Sequence, residues 1–356
     1  MTILYDFLEV AGGAEKVSLD LAQHLNCPLI VSGTNKDIFS AFPEHNVNII
    51  NIGKVARIPI WKTINSINAF ERIKTEQLTS KKILFSGSNA PVAVHKSQAD
   101  KNIYYCHTPP RFAYDLYDHY QNTLPSWQAY IVDKFATWVR QKYEPTLPKM
   151  DLVIANSNNV KARLKKYLNV DATVIYPPVH IEEFFNSSSS GYYLSTARLE
   201  EYKRIQTIVD AFKQLPNKKL VLVSGGSMLD KLKIECQNYS NIEIVGWASQ
   251  EMLRKYISEC IATIYIPIDE DFGMSPVESM AAGKPVIGVN DGGIKETVRH
   301  QETGYLCPAD LSTSDLIDAI EFLTPNKAQN MMNNCIARAQ SFKADLFFSQ
   351  MKEIMT

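Results

Sequence analysis

Glu270-Asp271-Phe272-Gly273-Met274-Ser275-Pro276-Val277-Glu278 places two carboxylates on either side of a glycine-bearing turn, where an apolar run gives way to a helical pattern. The run before it, Ile261-Ala262-Thr263-Ile264-Tyr265-Ile266-Pro267, reads as a buried strand that stops at its proline. Ser275-Pro276 opens the helix that follows, because a proline's missing N–H costs nothing in a first turn. A strand that brings two acids and a row of unbonded backbone N–H groups to a helix N-terminus suits an anion and a set of hydroxyls at once. Sugar nucleotides carry both.

The chain has 356 residues, enough for two domains of ordinary size, each able to bury its own core. With 45% hydrophobic and 21% charged residues it reads as a globular protein, and no apolar run approaches the roughly 20 residues of a membrane span. At the start, Asp6 and Glu9 interrupt the apolar residues and no basic region precedes them, so a first strand is expected there rather than a signal peptide, and with it a cytoplasmic location. Cys27, Cys106, Cys236, Cys260, Cys307 and Cys335 are scattered, with no Cys-x-x-Cys pair, as expected of reduced core thiols. The formal net charge of −1 hides an asymmetry: residues 1–176 carry more Lys and Arg than Asp and Glu, and the remainder the reverse. The basic excess, dense between Lys134 and Lys166, is either a set of solvated helix faces or a face for anionic lipid or a lipid diphosphate; no nucleic-acid motif accompanies it.

Strand patterns at 3–5, 29–31, 47–50, 83–85, 103–105 and 152–155 alternate with helical patterns at 14–25, 127–142 and 160–167. That alternation predicts a doubly wound parallel sheet. Tyr176-Pro177-Pro178 cannot continue a helix or a central strand, which puts a domain boundary after 176. The rhythm then repeats, with strands at 192–196, 219–224, 242–245, 261–266 and 286–289 and helices at 203–214, 228–236 and 252–259. The expected fold class is α/β with two Rossmann-like domains, 1–176 and 177–341, and a final segment 342–356, apolar on one side.

Several loops at strand ends carry chemistry. Gly12-Gly13 follows the first strand and would let backbone approach a phosphate, or is a plain turn, since the GxGxxG fingerprint is absent. Arg198 and Lys203 follow the first strand of the second domain, and a guanidinium with an ammonium suits the charge left on a departing diphosphate. Arg204 beside them is ambiguous. Tyr104-Tyr105-Cys106-His107-Thr108-Pro109-Pro110-Arg111 ends a strand with a histidine at its tip, and Tyr114, Asp115 and Tyr117 beyond it are either a binding pocket or core. Asp269-Glu270-Asp271 spells a DxD, a metal-binding pattern, but it overlaps the frame of Glu270 and Glu278 and is not read as a metal site; three adjacent acids on a loop are also often solvated charge. Ser224-Gly225-Gly226 and Val245-Gly246-Trp247 end later strands, and Trp247 either packs on a base or fills core.

The Glu-x7-Glu frame of Glu270 and Glu278, followed by Ser279-Met280-Ala281-Ala282-Gly283-Lys284-Pro285, resembles the signature of retaining glycosyltransferases of family 4. Asp291-Gly292-Gly293-Ile294-Lys295-Glu296 and Thr303-Gly304-Tyr305-Leu306 agree, and the His107 string is similar to the segment of bacterial members that transfer mannose from GDP-mannose in polysaccharide assembly. The resemblance runs from Gly12 to Gly304. It departs at Ala197, where a glycine is usual, and at Tyr202-Lys203-Arg204-Ile205, which replaces Lys-Gly-x-Asp.

The resemblance implies a GT-B fold, two Rossmann-like domains facing across a cleft, the first binding acceptor and the second nucleotide sugar, with 342–356 crossing back. It implies His107, Arg198, Lys203 and Glu270 as catalytic residues. Gly12, Gly13, Ser224, Gly225, Trp247, Phe272, Gly273, Met274, Ser275 and Glu278 would bind donor, with Glu270 at the sugar and Glu278 at the ribose; Arg111, Tyr114 and Asp115 would bind acceptor. It implies no metal and no cofactor beyond the nucleotide-sugar co-substrate, GDP-mannose by the His107 string, and a saccharide or lipid-linked acceptor, with contact to the inner face of an anionic membrane through the basic first domain. Alternatives are a UDP-sugar donor, a phosphorylase or epimerase of the same shape, and a two-lobed sugar-binding protein.

Overall fold

The computed structural model describes residues 1–9, 12–35 and 44–355. The chain divides into two compact units: Met1–Tyr176 with Phe348–Thr356, and Pro177–Phe347.

Among the described residues, unit 1 has seven strands: β1 (Thr2–Tyr5), β2 (Leu29–Val31), β3 (Ile49–Asn51), β4 (Lys82–Ser86), β5 (Lys101–Cys106), β6 (Leu152–Ala155) and β7 (Thr173–Val174). Their order is β3-β2-β1-β4-β5-β6-β7, every neighbour parallel. The central strands are buried on both faces, which is why they read as unbroken apolar runs rather than as alternations. The edges differ from the sequence expectation. β3 lies later than 47–50 and is only half-buried, and Thr173–Val174, where no strand was expected, adds the edge strand β7 by pairing with Ile154 and Ala155.

At the tip of β1 the buried Asp6 carboxylate accepts from the backbone N–H groups of Ser88, Asn89 and Ala90, each at 2.8 Å, and from the Ser88 hydroxyl at 3.1 Å. It thereby caps the 3-10 helix Ala90–Lys96 and ties β1 to the loop after β4. Burial pushes its pKa up, against those hydrogen bonds. Gly87 turns that loop at φ +94°, and a Cβ there would stand 2.5 Å from Asp6 Oδ1, so no other residue fits without moving the carboxylate.

In unit 2, β8 (Tyr192–Ser195), β9 (Lys219–Leu222), β10 (Ile242–Ile244), β11 (Thr263–Ile264), β12 (Val286–Val289) and β13 (Gly304–Cys307) form a parallel sheet of order β10-β9-β8-β11-β12-β13. The strand expected at 261–266 contracts to two residues, although Ile261 N–H still bonds Tyr192 O and Tyr265 N–H bonds Ile287 O. β13 was legible only as a motif. Its Gly304 crosses Val286 so closely that a Cβ would lie 2.0 Å from the Val286 carbonyl. The helix expected from 203 begins at Ile205, after a 3-10 turn Glu201–Lys203 and Arg204 at φ +54°.

The last helix, Ala344–Met355, carries the chain from unit 2 into unit 1, later than position 342. In unit 1 its Phe348 stacks on His24 with ring centroids 4.3 Å apart. All six cysteines are buried and none is in a disulfide. Among the described residues, no helix is long and apolar enough to cross a membrane.

Candidate functional site

In unit 2 the site residues come from the loops after β8, β9, β10 and β11, at the carboxyl ends of strands, where open parallel sheets bind ligands. After β8 comes Lys203, buried, its Nζ 2.5 Å from Glu270 Oε2 and 3.1 Å from the Tyr265 hydroxyl. The ammonium also lies over the Tyr202 and Tyr265 rings, 5.1 and 5.3 Å from their centroids. Glu270 is more open, with its side chain 20% exposed. Burial first, and the Glu270 and Glu278 carboxylates after it, push the Tyr265 hydroxyl pKa well up, so Tyr265 stays a neutral donor. Arg198 is exposed and donates to the Tyr202 hydroxyl at 3.0 Å. Within the Tyr202-Lys203-Arg204-Ile205 segment that departs from the family's Lys-Gly-x-Asp, Arg204 turns the chain in the left-handed conformation, its guanidinium held by the Ala309 carbonyl at 2.8 Å.

The acidic loop after β11 is held from below. Asp269 has φ +42°, a strained value for a residue with a side chain, and its N–H bonds Asp291 Oδ2 at 2.9 Å. Gly293 N–H bonds the Glu270 carbonyl at 2.7 Å, and Cβ atoms at Gly292 and Gly293 would stand 2.5 Å from the Glu270 carbonyl oxygen and the Phe272 Cα. Gly273, at φ +84°, caps the helix Met274–Ala281 without a side-chain hydrogen bond, which leaves Met274 and Ser275 in its first turn and Glu278 one turn on. That first turn offers backbone N–H groups and the positive end of the helix dipole. The Phe272 side chain is buried edge-to-face against Phe342, 5.5 Å between centroids, which leaves its backbone for any donor contact.

Ser224 and Gly225 follow β9. Ser224 is buried, with its hydroxyl on the Gly225 carbonyl at 3.3 Å. Trp247 is 68% exposed and so is not core; its indole lies on Gly225, where a Cβ would be 2.1 Å from Nε1. Glu200, which the motif reading passed over, accepts from Ser227 N–H at 3.0 Å and the Ser227 hydroxyl at 2.6 Å, tying the β8 and β9 loops together; those bonds hold its carboxyl below the usual range. Tyr265 and Asp291 were also missed. Tyr265 is hidden inside an apolar run, and the only signal for Asp291 was the Gly-Gly pair after it. Among the described residues, no group of three His, Cys, Asp or Glu gathers as a metal site.

In unit 1, His107 ends β5 with its Nε2 2.9 Å from the Ser86 hydroxyl, which lies 3.2 Å from that of Ser18 on the Gly13–His24 helix. Tyr5 and Tyr105 meet the imidazole edge-on. Burial pushes its pKa down to about 4, so the ring is neutral at pH 7. Gly12 caps that same helix, and a Cβ there would meet Glu15 Oε2 at 2.5 Å. Arg111 and Asp115 pair with each other, at 2.7 and 2.8 Å, and the buried Arg163 lies 3.5 Å from the same carboxylate oxygen. Tyr114 belongs to the core, its hydroxyl on Glu144 at 3.1 Å and Arg140 over its ring.

Residues 180–342 match the family model described as Glycosyl transferases group 1, which covers the whole of the Lys203, Glu270 and Glu278 site. Unit 2 thus resembles a group 1 glycosyl transferase domain, and the two parallel-sheet units have the fold class of GT-B glycosyltransferases. The chain resembles the alpha-1,3/1,6-mannosyltransferase ALG2 of Dictyostelium discoideum, 27% identical over 255 residues that cover 58% of each chain. It is 29% identical over 188 residues, 52% of each chain, to an uncharacterized glycosyltransferase of Methanocaldococcus jannaschii. These matches span little more than half the length of either relative. Sucrose-phosphate synthase of Thermosynechococcus elongatus shares the fold at TM-score 0.79 and 20% identity, over 99% of this chain and 97% of that one. So does Anabaena HepE in complex with UDP-glucose, at TM-score 0.73 and 18% identity, over 100% and 99%.

Proposed function

We propose that the protein is a retaining glycosyltransferase that moves a hexose, mannose from GDP-mannose, to a saccharide or lipid-linked saccharide acceptor in cell-surface polysaccharide synthesis. The observation that carries this is the pairing of the buried Lys203 with the partly exposed Glu270 beside the first turn of the Met274–Ala281 helix, inside the stretch that matches the family model. The mannosyl assignment rests on the His107 string and on the mannosyltransferases among the relatives. A UDP-sugar donor is the second reading, favoured by the UDP-glucose complex of HepE.

As the glycosidic bond breaks, negative charge grows on the diphosphate. Lys203, Arg198 and the helix N-terminus would meet it, and Glu278 would accept the ribose hydroxyls. Glu270 would accept a sugar hydroxyl while its ion pair with Lys203 keeps the two groups in register. Trp247, packed against Gly225 and largely exposed, is suited to stacking on the base. On the resemblance, His107, Gly12 and Gly13 serve the donor and Arg111, Tyr114 and Asp115 the acceptor, Tyr114 through what little of it is exposed. The acceptor proton would pass to the leaving phosphate on the same face of the sugar. With an α-linked donor, proton NMR is expected to show an α-linked product, and activity is expected to survive EDTA. A β-linked product, or activity lost in chelator and restored by manganese, would overturn this reading.

Membrane contact is part of the same proposal. On the helix Ser126–Tyr143, Trp127 and Tyr130 are 65% and 63% exposed, with Ile131 and Lys134 on the same face, a set suited to a bilayer interface. The chain is expected to float with vesicles containing phosphatidylglycerol and not with pure phosphatidylcholine, and Trp127→Glu with Tyr130→Glu to abolish flotation. Sedimentation of the wild type away from both vesicles would remove the membrane from the account.

A further inference from the structure

Unit 1 holds a cavity of about 580 Å³ that neither the motifs nor the proposed function uses. One wall is the chain leaving the edge strand β3, Asn51 to Lys54; another is the helix Pro59–Glu71; the turn from Ile73 to Gln77 closes it. Asn65, Asn68, Ala69 and Arg72 recur at i, i+3, i+4 and i+7, so they share one helical face, and that face lines the cavity. Gly53 lets the β3 exit lie close against it: a Cβ there would meet the Ser32 carbonyl at 2.5 Å and the Ala69 Cβ at 3.2 Å.

The lining is chemically one-sided. Lys54, Arg72 and Lys74 are exposed cations, and among the described residues none has a carboxylate within ion-pair distance; no acid lines the cavity. Neighbouring Glu71 is turned to Lys142 instead, 2.6 Å away. Three like charges without counter-charge around one cavity repel one another, and an anion there relieves that repulsion. Asn51, Asn65, Asn68 and Gln77 add carboxamides, each with donors and an acceptor for hydroxyls. No aromatic residue lines the cavity, so there is nothing on which a nucleobase would stack. The volume lies within the roughly 300–1,000 Å³ range of small-molecule sites.

We propose that this cavity is a binding site for an anionic saccharide, its phosphate or carboxylate held by Lys54, Arg72 and Lys74 and its hydroxyls by the carboxamides. It is separate from the nucleotide-sugar site of unit 2 and does not depend on that assignment. The test is calorimetry on the full chain with mannose 6-phosphate, glucuronate, mannose and inorganic phosphate, each with and without saturating GDP. The two anionic sugars are expected to bind at least tenfold more tightly than mannose or phosphate, undisturbed by GDP. Arg72→Gln with Lys74→Gln is expected to weaken them tenfold or more at unchanged melting temperature and unchanged GDP affinity. Asn68→Ala is expected to weaken sugar phosphate but not inorganic phosphate. Lys54→Gln serves as an independent variant should the double substitution fail to fold. Equal binding of phosphate and sugar phosphate would reduce the cavity to a bare anion patch, and absence of heat, displacement by GDP, or full affinity in the variants would overturn the proposal.

Discussion

Turnover at saturating donor is expected to fall by about two to three orders of magnitude in Lys203→Ala, the scale set by removing one preorganised donor from a developing anion. KM should rise less, because charge on the diphosphate is greater in the transition state than in the bound substrate. The substitution also strips Glu270 of the ammonium 2.5 Å away and leaves its partly buried carboxylate without that counter-charge. Some stability is therefore expected to be lost, and the melting temperature must be read beside the rate. Arg198→Ala, which removes an exposed guanidinium anchored on Tyr202, separates the two effects: its rate should fall while its stability stays near the wild type. Wild-type turnover in a folded Lys203→Ala protein would remove Lys203 from the leaving-group role.

Glu278→Ala is expected to weaken nucleotide binding about tenfold to a hundredfold, since two ribose hydroxyls left unpaired cost on the order of 1–3 kcal/mol. The loss should fall on affinity rather than on turnover. Glu278 lies on the second turn of the Met274–Ala281 helix, and an alanine there is a good helix former, so the fold should be untouched. Calorimetry with GDP and with UDP reads the effect and also ranks the two bases. Unchanged affinity for both nucleotides would mean that Glu278 does not hold the ribose.

Much of the α/β architecture could be read from the chain because parallel strands buried on both faces are continuous apolar runs, as at Ile3-Leu4-Tyr5 and Val286-Ile287-Gly288-Val289. The edges were harder. β3, β7 and β13 are two to four residues long and partly exposed, so their residues carry little pattern of their own. The frame of Glu270 and Glu278 was visible because its spacing is local. What completes the frame is not: Tyr265 looks like any apolar strand residue, and Asp291 reaches Asp269 across 22 positions. The burial of the Phe272 ring against Phe342 was not legible either, since its place inside a functional string says nothing of which way its ring turns.

The Asp291-Gly292-Gly293 loop bears on how such a chain can change over generations. It grips the backbone of Asp269 through the Asp291 carboxylate and that of Glu270 and Phe272 through glycine main chain where no side chain fits, so the geometry of the acidic loop is set largely by this neighbour. The two segments therefore behave as one heritable module. A graft that transplants the acidic loop into a related scaffold, or a library that diversifies it, must carry residues 291–293 along.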